Sequence, residues 1–260
     1  MKKVGIVILI ILFIAVVSGG IIFLVGEEKH SVEYNEVNTS IENKELDINS
    51  DLVLNLYQKA NPSDDANILK GLYENLVPPN TYVLAAGAMN YIRKNIPIDS
   101  EMVQNHMFAT TIKESDLKSS IYEIFGSIEY QNTDFYVLNS DYGVCGFTYS
   151  REISSYESLN GCGGSQFESF IRKVVSARQE GNFIYITEKS IYVYTDWNEY
   201  ISRRYIYNNC NQDKMLDYIE TSTTENNPIS LESYIDEAAT YEYVFENQNG
   251  NYIFKGLRQM

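Results

Sequence analysis

The chain is poor in the residues that build most catalytic and metal centres, with 2 His, 3 Cys and 1 Trp in 260 residues. Two histidines cannot make a His-rich metal cage. No two cysteines stand as C-x-x-C, so a zinc site would need long-range convergence of scattered groups. A Gly-rich loop followed by Lys and Ser or Thr is missing, which removes P-loop nucleotide chemistry. Nothing in the sequence calls for a cofactor. Positive charge is also scarce: 20 Lys+Arg stand against 35 Asp+Glu, a formal charge of −15 and a pI near 4.6. Such a chain repels phosphate backbones and anionic headgroups, which argues against nucleic acid as a partner.

Hydrophobic residues are plentiful at 44%, with 22 Tyr and 11 Phe, ample for a core and too many for a disordered acidic chain. One apolar run is long. From Val4 to Val25 there is no charge, and at 1.5 Å per residue about 20 such residues cross the hydrocarbon core of a bilayer. Ser18-Gly19-Gly20 resembles a signal-peptide cleavage step, but Ile21 to Val25 resume the apolar run directly after it. The expectation is an uncleaved single-pass anchor at 4–25. Lys2 and Lys3 precede the span, whereas Glu27 and Glu28 accompany Lys29 after it. The positive-inside bias therefore leaves 1–3 in the cytoplasm and the rest outside the cell membrane. The acidic, aperiodic stretch 26–46 reads as a flexible stalk, and 47–260 as one extracytoplasmic domain.

The first half of that domain has helical spacing. Ser50 is placed to cap a helix with Leu52, Val53, Leu56 and Tyr57, stopped by Asn61-Pro62. Ser63, Asp64 and Asp65 open a second helix with Ile68, Leu69, Leu72 and Tyr73, and a third runs from Thr81 to Lys94. Shorter ones follow around Met102 to Met107 and from Ser115 to Phe125, the last stopped by Gly126. Beyond Gly126 the period becomes alternating. Strands are expected at Ser127–Tyr130, Phe135–Leu138, Gly143–Tyr149, Phe167–Ala177, Phe183–Thr187, Ile191–Tyr194 and Ile201–Tyr207, with turns at Glu180-Gly181-Asn182 and Asn249-Gly250. The expected class is α+β: an N-terminal transmembrane helix, a helical half at 50–126, and a β-rich half at 127–260 forming an antiparallel sheet on which the helices pack.

Outside the cell a disulfide is permitted. Cys145 and Cys162 are the closest pair in sequence, and closing their loop would contribute about 3 kcal/mol. Pairings of either with Cys210, and three free thiols, stay open. A thiol nucleophile would need a base, and the one histidine of the folded part, His106, lies on an apolar helical face where a structural role is expected. Ser115-Asp116-Leu117-Lys118 matches S-x-x-K, but the partner motifs of serine β-lactamases are absent, so Ser115 reads as a helix cap. Asn139, Asp141 and Gly143 suggest a calcium loop that lacks its closing glutamate. The most suggestive acidic cluster is Asp196-Trp197-Asn198-Glu199, where an indole beside two carboxylates suits a sugar; a loop with Trp197 on the sheet edge is the plainer reading. Tyrosines at alternate positions, Tyr192 with Tyr194 and Tyr205 with Tyr207, fit either half-buried sheet packing or a recognition face.

Asp51-Leu52-Val53 through Leu56-Tyr57 with Asn61-Pro62, Leu72-Tyr73-Glu74, Ile124-Phe125-Gly126, Cys145-Gly146 with Tyr149, and Gly161-Cys162-Gly163-Gly164 form a set. In these the chain resembles a group of single-span exported proteins of low-GC Gram-positive bacteria and their wall-less relatives. The resemblance implies location and a shared fold, and no activity. The expected function is a non-catalytic, membrane-anchored binding or interaction protein, its partner a protein or small ligand outside the cell, of neutral or positive charge. The alternative is an exported hydrolase of cell-wall sugars or peptides using Asp196, Glu199 or a thiol. Protease added to intact cells should remove the domain beyond residue 46, measured by immunoblot; full protection would invert the topology.

Overall fold

A computed structural model of the chain describes residues 43–260 except 105–108, 140, 144–145, 159–167 and 224–226. Strand outweighs helix, at 40% to 27% of the described residues. The expected α+β class, with one C-terminal sheet beneath a helical half, is corrected accordingly: the protein is predominantly β. The physical reason is that strand pairing recruits the whole chain. Two strands come from the stretch read as stalk and helices, and the C-terminal strands are longer than their periodicity suggested. Among the described residues no helix is long and apolar enough to cross a membrane; the span expected at 4–25 lies outside them.

Eleven strands are described: β1 Asn43–Glu45, β2 Thr111–Lys113, β3 Phe135–Tyr136, β4 Gly146–Ser150, β5 Ser155–Ser158, β6 Glu168–Glu180, β7 Phe183–Trp197, β8 Ile201–Tyr207, β9 Met215–Ser222, β10 Ala239–Gln248 and β11 Asn251–Gln259. They form two antiparallel sheets. The small one has the order β2-β5-β4-β3; the large one has seven strands, built around β7. β6 runs along one edge of β7 from Phe183 to Tyr194. The other edge is shared end to end, with β10 pairing Phe183–Ser190 and β8 pairing Tyr192–Trp197. The large sheet thus has a proximal half, β1-β6-β7-β10-β11, and a distal half in which β8 and β9 extend β7. The turns are those the sequence suggests: Gly181 (φ 58°) between β6 and β7, and Asn249 (φ 56°) with Gly250 (φ 92°) between β10 and β11, two left-handed residues as a tight hairpin requires.

Four helices longer than one turn are described, α1 Asp51–Ala60, α2 Ala66–Glu74, α3 Asn80–Asn95 and α4 Glu114–Phe125, plus a single turn at Glu101–Gln104. Ser50 caps α1 by accepting from the Val53 amide, and Asp65, rather than Ser63, caps α2 by accepting from Asn67 and Ile68. α4 opens at Glu114, so Ser115 falls inside the first turn and does not cap; Gly126 at φ 65° ends it. One core joins helices and both sheets, with Val53, Leu56, Leu72, Tyr82 and Met89 meeting Ile112 and Phe147 of the small sheet and Ile184, Tyr243 and Phe254 of the large one. A second, smaller core lies on the opposite face of β7, where Ile191, Val193 and Ile206 are covered by Leu231 and Ala238 of the segment around a 3-10 turn at Leu231–Tyr234.

α3 and α4 pack closely at one point. A Cβ added to Gly87 would collide with Ile121 Cγ1 and come within 3.1 Å of Leu117 Cδ1, whereas one at Gly71 would meet Pro79 at an ordinary 3.5 Å. Gly87→Ala should therefore lower stability by about 1–3 kcal/mol through overpacking. Gly71→Ala, within α2, should raise it by about 0.5–1 kcal/mol. Urea midpoints of the two variants check the contrast.

Candidate functional site

Two polar constellations stand out, one buried and one open. The buried one centres on Glu188, which points from the proximal half of β7 toward the helices with no exposed surface. An ionised carboxylate there needs partners to offset its lost hydration. Tyr57 of α1, Tyr73 of α2 and Tyr243 of β10 all donate to it, the last at 2.9 Å. Tyr73 and Tyr243 are in turn 3.0 Å apart. Arg172 of β6 supplies the nearby positive charge; it donates to Asn61 Oδ1 at 2.6 Å and reaches Asp64 at 3.5 Å. Burial pushes the Glu188 pKa up, and Arg172 and the three hydroxyls offset this only in part. Burial and the Glu188 charge likewise push Tyr57, Tyr73 and Tyr243 up, so all three remain proton donors. A cleft of about 590 Å³ lined by Tyr57, Asn61, Phe170 and Arg172 opens above the cluster.

The opposite face of the same strands carries a second buried carboxylate. Glu242 is 1% exposed and is held by Arg178 at 2.5 Å and Arg258 at 2.7 Å, with the Arg178 guanidinium 4.3 Å from the Tyr185 ring. Both constellations are placed to hold the sheet together.

The open constellation is on the distal half. Cross-strand partners in an antiparallel sheet share a face, and here the registers Tyr194↔Tyr205 and Tyr205↔Tyr218 align three tyrosines across β7, β8 and β9. Their ring centroids are 6.1 and 5.2 Å apart. Tyr192 and Tyr207 form a parallel row at 6.3 Å. The tyrosine pattern legible in the sequence is thus a ladder, extended by Tyr218, and its outer members are exposed: 37% for Tyr194 and 42% for Tyr218. Carboxylates border it, with Glu168 opposite Tyr194 in register and Asp196 at the end of β7.

The expected Asp196, Trp197, Glu199 cluster is split by the strand. Asp196 and Trp197 are consecutive in β7 and face opposite sides. Asp196 joins the tyrosine face in a cleft of about 310 Å³, whereas Trp197 and Glu199 line another of about 520 Å³ with Arg204. Trp197 is thus at the strand end and 43% exposed. Cys145, Cys162 and His106 lie outside the described residues. Cys210 is a buried free thiol whose pKa burial raises, which keeps it protonated and unreactive at neutral pH. Asn139 spends its side-chain oxygen on the amides of Asp141 and Tyr142, at 3.0 and 3.3 Å. Glu188, Arg172, Glu168 and Tyr218 were not singled out by sequence. The available signal for Glu188 was a charge inside an otherwise apolar alternation.

Comparison with protein-family models, with curated proteins and with solved structures gives no match.

The raised Glu188 pKa fixes a pH dependence. The folded protein holds this proton more tightly than the unfolded chain, so the contribution to stability is complete below the unfolded glutamate pKa of about 4.3 and is lost as pH rises through the folded value. Glu114, Glu123, Asp217, Glu220 and Glu246 have lowered pKa values and act in the opposite sense. The difference in urea-unfolding stability between the wild type and Glu188→Gln should therefore fall with rising pH above about 4 and then level off. A flat difference would mean that Glu188 titrates normally.

Proposed function

We propose that this chain is a non-catalytic, membrane-anchored extracytoplasmic binding protein, and that the tyrosine face of the distal sheet holds its ligand. The observation that carries the reading is the Tyr194-Tyr205-Tyr218 ladder, exposed at its outer members, on the half of the sheet where β8 and β9 extend β7. Tyrosine offers broad amphipathic contact at low conformational cost, and three in register make a continuous surface. Glu168 and Asp196 border it, with Glu220 paired to Arg203, within a chain of net charge −15, so the complementary ligand is neutral or positively charged. The charge-free run 4–25 after Lys2 and Lys3 supports an anchor with the domain outside. The hydrolase alternative calls for two carboxylates facing one substrate, and Asp196 and Glu199 line different clefts.

Deca-lysine, titrated by calorimetry into the full chain in detergent micelles, is the test. Tyr194→Thr, Tyr205→Thr and Tyr218→Thr combined keep both charge and strand propensity, and should weaken binding about tenfold or more. Unchanged binding in the triple variant would place the contact elsewhere and overturn the reading.

A further inference from the structure

On the side of the distal sheet opposite the tyrosine rows lies a cleft of about 520 Å³, whose walls include Thr195, Trp197, Glu199, Ser202, Arg204 and Thr221. That volume is within the range of small-ligand sites. Two cross-strand rows form its floor: Trp197, Ser202 and Thr221 in one, Thr195, Arg204 and Ile219 in the next. Ile191 and Val193 precede them on the same side of β7 and are covered by Leu231 and Ala238. Beyond that cover, apolar side chains give way to an exposed indole, three hydroxyls and a guanidinium. Arg204 is incompletely paired. Its Nη1 donates to the Asn227 carbonyl at 2.5 Å, but its Nε has no hydrogen-bond partner among the described residues and no carboxylate among them pairs with the guanidinium. A guanidinium can only donate, so an acceptor entering the cleft improves its pairing. Glu199 can only accept, and its charge balances that of Arg204 within the cleft. A neutral hydroxyl serves both.

We infer that this cleft binds a neutral pyranose sugar, whose apolar C–H face lies on the Trp197 indole while its hydroxyls accept from Arg204, donate to Glu199 and pair with Thr195, Ser202 and Thr221. A pyranose joins a flat apolar face to a polar edge, which is the pattern these two rows present. An open-chain polyol has the hydroxyls without the face, so the site discriminates by shape as well as by hydrogen bonding. Glu199 is the one carboxylate lining the cleft among the described residues, and glycoside hydrolysis calls for two, so the site holds a sugar without cleaving it. A free monosaccharide and a sugar unit within a glycan share this chemistry. The inference does not depend on the tyrosine face, which lies on the other side of the same strands.

The test exploits the single tryptophan of the chain, whose fluorescence reports this cleft alone. The full chain in micelles of a sugar-free detergent is titrated with methyl β-glucoside, methyl β-galactoside and methyl α-mannoside, with sorbitol as the open-chain polyol and glucuronate as the anion. At least one glycoside should change Trp197 emission saturably, and sorbitol should bind about tenfold more weakly. Arg204→Lys keeps the charge but loses the planar fork, and Thr221→Val keeps the shape but loses the hydroxyl; each should weaken glycoside binding about fivefold or more with the circular dichroism unchanged. If either variant unfolds, Ser202→Ala takes its place with the same expectation. No saturable response to any glycoside, equal affinity for sorbitol, or no effect of the folded variants would overturn the inference. Tighter binding of glucuronate than of every glycoside would also overturn it, and would assign the cleft to anions. Cellobiose compared with glucose separates the two sources: tighter binding of the disaccharide marks a sugar unit within a glycan, and equal binding a free monosaccharide. Glycoside binding without tyrosine-dependent deca-lysine binding would leave this site standing and overturn the tyrosine face; the converse would do the reverse.

Discussion

A carboxylate in the middle of a hydrophobic sheet face is expensive unless its neighbours are arranged for it, and Glu188 imposes that arrangement on four separate elements. Tyr57 belongs to α1, Tyr73 to α2, Tyr243 to β10 and Arg172 to β6. None of these contacts is local in sequence. Each fixes the position of one element relative to β7, so the network specifies how the helices sit on the proximal sheet. Buried ionic groups often add more to uniqueness than to stability. Here burial raises the Glu188 pKa and Arg172 and the tyrosine hydroxyls counter it, within the large apolar core around Leu72, Tyr82 and Phe245.

The helices occupy only one half of the large sheet. α1 and α2 are fastened near Phe183–Ser190, and beyond Ser190 the strand changes neighbour from β10 to β8. The back of this distal region is closed by Leu231 and Ala238 over Ile191 and Val193. Its front carries the tyrosine rows, of which Tyr192 is buried with Lys70 of α2 over its ring while Tyr194 and Tyr218 are exposed. Bare sheet faces are normally polar, and tyrosine is a compromise: it keeps cross-strand packing while its hydroxyl stays compatible with water. The same compromise suits recognition, which is why the proposed ligand is assigned to the open half of the sheet.

The sequence made some of this visible. Caps, breakers and apolar stripes locate α1, α2, α3 and α4 closely, because Ser50, Pro62 and Gly126 are strong local signals. Asn249-Gly250 located the final hairpin for the same reason. The sequence pattern splits β7 in two because Glu188, Lys189 and Ser190 interrupt the apolar alternation; the interruption is the polar network, legible only once partners from distant segments are known. β9 has no clear sequence signal, because one of its faces is bare and a register shift against Ile206 and Tyr207 of β8 leaves Met215–Ser222 without a clean period of two. β1 and β5 are too short to carry a pattern. Asp196 lines a different cleft from Trp197 and Glu199, because neighbours in sequence on a strand face away from each other.

Hydrogen exchange on the full chain, resolved by residue, tests the clamping role of Glu188 most directly. If Glu188 fastens the helices to the proximal sheet, amides of α1 and α2 open together with those of Ile184–Ser190, and Glu188→Ala uncouples them so that the helices exchange first. Helices that exchange independently of β7 in the wild type, with the same protection in the variant, would contradict it.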